Sequence, residues 1–280
     1  MINFNGTIVS EDANILTQNR AFLYGDAVFE TVKVLRGTIL FLEDHYFRLM
    51  ASMRVVRMEI PMNFTMEYFE EQLLSVVTSN GFLASARVRI TVFRNDGGYY
   101  LPKYNTVSFL VHATKLPDTQ YAFETKGYEV DLFKDFYITK QLLSSIKSTN
   151  RLLNTTASIF AYENGLDNCL LLNDSKNVVE AIQGNIFMLL GNKLITPPVS
   201  EGCLNGVMRK QILALASKIE KLEVIEQIIS PFDLQKADEL FITNVIKGIQ
   251  PITKYKKKNF ETQTAQLLLG KLNELLLVKK

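Results

Sequence analysis

The chain of 280 residues has only two cysteines, Cys169 and Cys203, and two histidines, His45 and His112. Two thiols make no disulfide framework, and with two imidazoles they give no basis for a Cys/His metal centre. Charge of one sign is scarce too: 31 basic against 29 acidic residues leave a net charge of +2. That balance gives no electrostatic case for a nucleic-acid or membrane partner. The one dense basic cluster, Lys254, Lys256, Lys257 and Lys258, reads as a solvated turn. No apolar run approaches the ~20 residues that span a bilayer. The N-terminus opens on a strand-like run, not on a charged start with a long apolar core, so no signal peptide is expected and the default address is the cytoplasm. Internal repeats and low-complexity segments are also missing.

What is present is an apolar fraction of 47% with 21% charged residues, enough for a sizeable core in one large domain or two ordinary ones. "INFNGTIV" (2–9) places Asn-Gly between apolar residues, a hairpin signal, and "VFETVKVLRGTILF" (28–41) repeats it at Arg36-Gly37. Tyr46, Leu49, Met53 and Val56 recur at helical spacing, so a helix is expected over about 43–58. A second is expected over 66–79, stopped by Asn80-Gly81. Residues 86–95 and 106–114 alternate like strands around the Gly- and Tyr-rich "DGGYYLPKYN". Residues 115–127 read as a connector. Beyond it come a strand at "YEVDLF", a helix from Thr149 to an Asn164-Gly165 stop, and strands near 169–173, 185–190 and 193–196. A helix near 206–220, a strand at 238–243 and a C-terminal helix from about Thr262 follow. The expected division is 1–114, a connector over 115–127, and 128–280.

Five features carry possible chemistry. Lys147, in "SIKSTN", sits at an expected strand-to-helix junction beside apolar Ile146; a partly desolvated lysine there would form Schiff bases with aldehydes. Glu180 precedes an almost wholly apolar stretch and needs a cationic partner if it is buried. "GCLNGVMRK" (202–210) has glycines where a helix begins, so the N–H groups of Gly206, Val207 and Met208 suit an anion. Thr243 and Asn244 end a strand with a hydroxyl and an amide. Arg48 lies on the first long helix. Taken singly, each is also what an ordinary surface lysine, strand-end acid, glycine cap or helix arginine looks like. Together they match one ligand, with an aldehyde, a phosphate and a ring nitrogen: pyridoxal phosphate (PLP).

Here the chain resembles the class IV (fold-type IV) PLP enzymes, which include branched-chain and D-amino acid aminotransferases and 4-amino-4-deoxychorismate lyases. The family signature is matched by Glu180, Asn185, Ile186, Phe187, Thr196, Leu204, Gly206, Val207 and Arg209, with Lys147 lying 33 residues before Glu180. "RAFLYGDAVFETVKV" (20–34) and "EDHYFRLMAS" (43–52) resemble the family's N-terminal domain. The resemblance implies a mixed α+β / α/β chain of two domains, a small N-terminal α+β domain and a larger, pseudo-barrel-like C-terminal one. It implies that Lys147 holds the cofactor and moves the proton, that Glu180 faces the pyridine nitrogen, and that Arg48, Gly206, Val207, Thr243 and Asn244 hold the phosphate. Tyr24 and Phe29 would line the substrate pocket, and Arg94 is the candidate for a substrate carboxylate, with a solvated strand-end arginine as the alternative. His45 would then be a surface or packing residue and the cysteines inert. A small amino substrate and a homodimer, each site completed by a partner loop, are implied as well.

The shared residues do not separate the family's reactions. "FLYGDAVFET", "IKSTNRL", "LNGVMR" and "TNVIKGIQPI" resemble lyase segments, and Thr31 stands where branched-chain transaminases tend to have Gly. "RNDGGYYLP" lacks the second arginine of some lyase loops, and residues 94–102 lack the Arg-x-His of D-amino acid transaminases. The sequence thus favours a lyase. A branched-chain or D-amino acid aminotransferase working with 2-oxoglutarate stays open, as does a cofactor-binding relative with little turnover.

Overall fold

In a computed structural model of the chain, residues 1–11, 18–117, 120–123 and 126–278 are described. They form two compact units, Met1–Thr119 with Ile146–Asn150, and Gln120–Ser145 with Arg151–Lys280. Part of the expected connector, at 118–119 and 124–125, lies outside the described residues.

The first unit runs β1 (Ile2–Phe4), β2 (Thr7–Val9), α1 (Arg20–Tyr24), β3 (Ala27–Leu35), β4 (Thr38–Ile39), α2 (Leu42–Val55), α3 (Met66–Ser79), β5 (Ser85–Arg94) and β6 (Val107–Lys115). Its sheet has the order β2-β1-β6-β5-β3-β4. Both expected hairpins form, and their turns need the left-handed region: φ is 49° at Asn5 and 89° at Gly6, 50° at Arg36 and 77° at Gly37. Strand alternation sends Val28, Val32, Val34, Val88, Ile90 and Val92 to one face, where Leu49 and Met53 of α2 and Phe69, Leu73 and Val76 of α3 cover them. Thr65 caps α3, its hydroxyl accepting the Tyr68 N–H.

The second unit carries β7 (Glu129–Ile138), α4 (Leu142–Ser145), α5 (Leu152–Glu163), β8 (Asn168–Asn173), β9 (Val178–Ala181), β10 (Asn185–Leu190), β11 (Lys193–Thr196), α6 (Val207–Ala216), β12 (Glu223–Glu226), β13 (Glu239–Asn244), β14 (Gly248–Ile252), β15 (Lys254–Tyr255), β16 (Lys258–Asn259) and α7 (Gln263–Val278). Two five-stranded sheets, β12-β11-β10-β13-β14 and β16-β15-β7-β8-β9, hold a common apolar core that includes Leu170, Val178, Ile186, Leu240 and Ile252. Glu239, buried in β13, accepts the Thr264 and Ala265 N–H groups and so caps α7.

Two expectations change. The helix expected from Thr149 begins at Leu152, and residues 146–150 are an extended strap that belongs to the first unit although the expected division assigned them to the second. Glu180 lies inside a strand, β9, which the sequence reading did not separate from its surroundings.

Candidate active site

The strap is held by β3. Phe29 donates its N–H to the Lys147 carbonyl at 2.8 Å, and Thr149 donates to the Ala27 carbonyl at 3.0 Å. Register then puts Lys147 on the same sheet face as Phe29, and its Nζ lies 4.7 Å from the Phe29 ring centroid. The guanidinium carbon of Arg89 lies 3.7 Å from that same centroid. Lys147 is therefore not at a strand-to-helix junction; it sits in an edge segment, with its amine and an arginine sharing one aromatic ring. Arg89 was missed in the sequence because the alternation of "ARVRITVFRN" reads as a strand with a solvated face. Thr31 pairs with Arg89, and Lys33 pairs with Arg87 on the same face.

On the opposite face, Glu30 is wholly buried under α2. It accepts from Arg48 Nε and Nη2, each at 2.7 Å, and from His45 Nδ1 at 2.7 Å. Burial alone would raise its pKa, but the Arg48 charge and the bonds from His45 and Arg48 outweigh it and hold the carboxyl at about 2. Burial pushes His45 the other way, below its ordinary value, against the pull of Glu30. The pair is thus a neutral imidazole donating to a carboxylate. His45 was expected at a surface or in simple packing; it is fully buried, and its Nε2 has no hydrogen-bond partner.

Arg94 does not offer a cation to a substrate. It is 5% exposed, and its guanidinium donates to Asp26 at 3.0 Å, to Asn105 Oδ1, and to the carbonyls of Val56 and Arg57. Those acceptors lie on three different stretches of chain, so nothing local in the sequence announced them. Arg20 shares Asp26 and donates to the Gly97 and Tyr99 carbonyls, which fastens the glycine loop. Tyr24 packs beside Tyr100, with Arg20 over its ring.

In the second unit, Glu180 is 5% exposed and accepts the Leu204 N–H at 2.9 Å. Asn185 donates to the Leu204 carbonyl at 2.7 Å. Gly206 caps α6 with an ordinary φ of −70°, so the glycine is there for space: a Cβ would collide with Oδ1 of Asn185. Val207 opens the helix, whose first-turn N–H groups have no acceptor within it. Thr243 sits directly across from Asn185, and its buried hydroxyl has no partner. Asn244 turns its side-chain oxygen to the Ile246 and Lys247 N–H groups and shapes the turn after β13. Cys203 is buried, and burial first, then Glu180, pushes its thiol up to about 12, while burial raises Cys169 to about 11, so neither is a nucleophile at neutral pH.

Residues 27–255 match the family model described as amino-transferase class IV. The chain belongs to the class IV aminotransferase family. It is 32% identical to a provisionally named branched-chain-amino-acid aminotransferase of Methanocaldococcus jannaschii, over 90% of this chain and 86% of that one. It is 26% identical to the aminodeoxychorismate lyase of Bacillus subtilis, over 95% of this chain and 90% of that one. The fold matches that of a branched-chain amino acid aminotransferase from Thermobaculum terrenum in its PLP form, with a TM-score of 0.85 at 22% identity, covering all of this chain and 94% of the other. The protein is thus an enzyme of fold type IV, its cofactor is PLP, and its substrates are small amino compounds. The residues present fit that cofactor. An orphaned buried hydroxyl, a helix start whose glycine leaves no room for a side chain, and a buried carboxylate are the donor and acceptor set that a phosphate and a pyridinium require. Among the described residues no cluster of His, Cys, Asp or Glu suits a metal ion, and no helix is long and apolar enough to cross a membrane.

Proposed function

We propose that this enzyme is a 4-amino-4-deoxychorismate lyase, forming p-aminobenzoate and pyruvate. Bound PLP supplies an aldehyde for amines and a ring that draws electrons from the α-carbon. In this reading Lys147 holds the aldehyde carbon and moves the α-proton. Glu180 keeps the ring nitrogen protonated. The Gly206 and Val207 N–H groups and the Thr243 hydroxyl hold the phosphate, with Asn244 shaping the turn beside it and Arg48 as counter-charge. Phe29 and Tyr24 line the substrate side.

The observation that carries the lyase reading is the cationic face around Phe29. Arg89 and Lys147 share that ring, and Arg87 stands one register step away from Arg89 on the same face. A substrate with two carboxylates, one on its ring and one on its enolpyruvyl arm, suits such a face. A branched aliphatic side chain needs an apolar slot instead. Arg89 takes over the carboxylate role that Arg94 does not fill. The identity to the archaeal branched-chain relative favours a second reading, transamination of leucine-like amino acids with 2-oxoglutarate. We also infer a homodimer, for which the exposed Phe22, Tyr99, Tyr100 and Leu101 supply apolar surface.

The test is a matched assay. The holoenzyme is given aminodeoxychorismate without a keto acid and, separately, leucine with 2-oxoglutarate. The expected result is p-aminobenzoate and pyruvate with only weak leucine exchange. Faster turnover on leucine at saturation replaces the lyase with the transaminase.

A further inference from the structure

The four signature residues Glu180, Asn185, Leu204 and Gly206 form one interlock in the second unit. Asn185 is 3% exposed and stands at the start of β10. Its amide is fixed in orientation from two sides: Nδ2 donates to the Leu204 carbonyl at 2.7 Å, and Oδ1 fills the space beside the Gly206 Cα. The other backbone group of Leu204, its N–H, donates to Glu180 Oε2 at 2.9 Å. Leu204 lies in the irregular stretch ahead of α6, outside any sheet ladder or helix, so these side chains set where its backbone points. Across the ladder, Asn185 faces Thr243, whose hydroxyl is the orphaned one.

We propose that Asn185 is a positioning residue for the Glu180 carboxylate, acting through the backbone of Leu204. An N–H aimed at a carboxylate favours its charged form, and the benefit depends on the donor staying in place. Asn185 holds that donor by gripping the carbonyl on the far side of the same Cα. Without the grip, the Leu204 carbonyl loses its partner and the loop is free to relax away from Glu180. A single asparagine thereby sets the carboxylate end of the cofactor site and, by its contact with Gly206, the start of α6 at the phosphate end.

This inference rests on Glu180 serving the ring nitrogen of PLP, and the experiment separates the two. PLP labelled with 15N in the ring is bound to wild type, Glu180→Gln and Asn185→Ala, and the ring-nitrogen shift is followed against pH. Apo-protein melting and the cofactor dissociation constant are measured alongside. In wild type the ring stays protonated to high pH. In Asn185→Ala the protonated form is expected to be lost about one pH unit earlier, and cofactor to be held on the order of tenfold more weakly. A lower melting point with an unmoved 15N titration means a structural asparagine only, and overturns the proposal. Asn185→Ser is too short to reach Leu204 and serves the same measurement should the alanine variant not fold. If Glu180→Gln leaves the titration where wild type has it, the parent reading fails and this proposal falls with it; a moved Glu180→Gln titration beside an unmoved Asn185→Ala one sinks the positioning role alone.

Discussion

The two units hold their candidate site residues by opposite means. In the first, charge is held by charge: Glu30 binds Arg48, and Asp26 binds Arg20 and Arg94, all in largely buried settings. In the second, the buried carboxylate of Glu180 accepts a backbone N–H, and the candidate anion site is a helix start, a hydroxyl and a glycine. Charge networks fix side chains that must stay cationic whatever occupies the site. Backbone dipoles orient an ion without neutralising it. The difference predicts that the first unit fails through stability and the second through chemistry.

The largest effect should come from the residue that escapes this contrast. Lys147 is placed by the strap, and in the proposed role it acts through its amine, so Lys147→Ala should lower turnover about 1,000-fold or more while the fold persists. Borohydride should then trap no adduct on the protein, and an adduct at another lysine would reassign the role. Next comes Glu30→Gln. It leaves Arg48 buried without its carboxylate, a change on the order of 3 kcal/mol, read as a lower urea midpoint with PLP absent. An unchanged midpoint would dissolve the contrast between the units. The smallest effect is the acid limb of stability. His45 has a depressed pKa in the folded chain, so its contribution is complete above the unfolded value of 6.5 and declines as pH falls below it. Glu30 is depressed from 4.5 to about 2, so its share is complete above 4.5 and is lost as pH falls towards 2. Wild type should thus lose stability in two stages on acidification, and His45→Gln should remove the first. Urea midpoints across that range decide it.

Local chemistry made much of the fold legible. Asn5-Gly6 and Arg36-Gly37 announced turns because few residues enter the left-handed region cheaply, and the helix read over 66–79 with its Asn80-Gly81 stop matches α3. Of the candidate site, Lys147, Glu180 and Gly206 could be singled out only because several weak signals agreed on one ligand. What stayed hidden was set at long range. The extended strap around Lys147 is imposed by β3, well over a hundred residues earlier, so its local helix-like sequence misled. Arg94 looked available because Asp26, Val56, Arg57 and Asn105 converge on it only after folding. His45 looked like a helix-surface residue because its partner Glu30 sits on another element.

The strap also has a consequence for synthesis. A chain leaving the ribosome has made every strand of the first sheet by residue 115, yet the N–H of Phe29 and the carbonyl of Ala27 still wait for partners from 147 and 149. Ile146, a member of the same apolar core, arrives equally late. The first unit is therefore completed only when a segment from outside its own contiguous stretch is available. It is finished by a short segment translated after β7 and α4, and that segment brings Lys147 with it. The amine and the aromatic ring it rests on are joined at the moment the unit closes, not before.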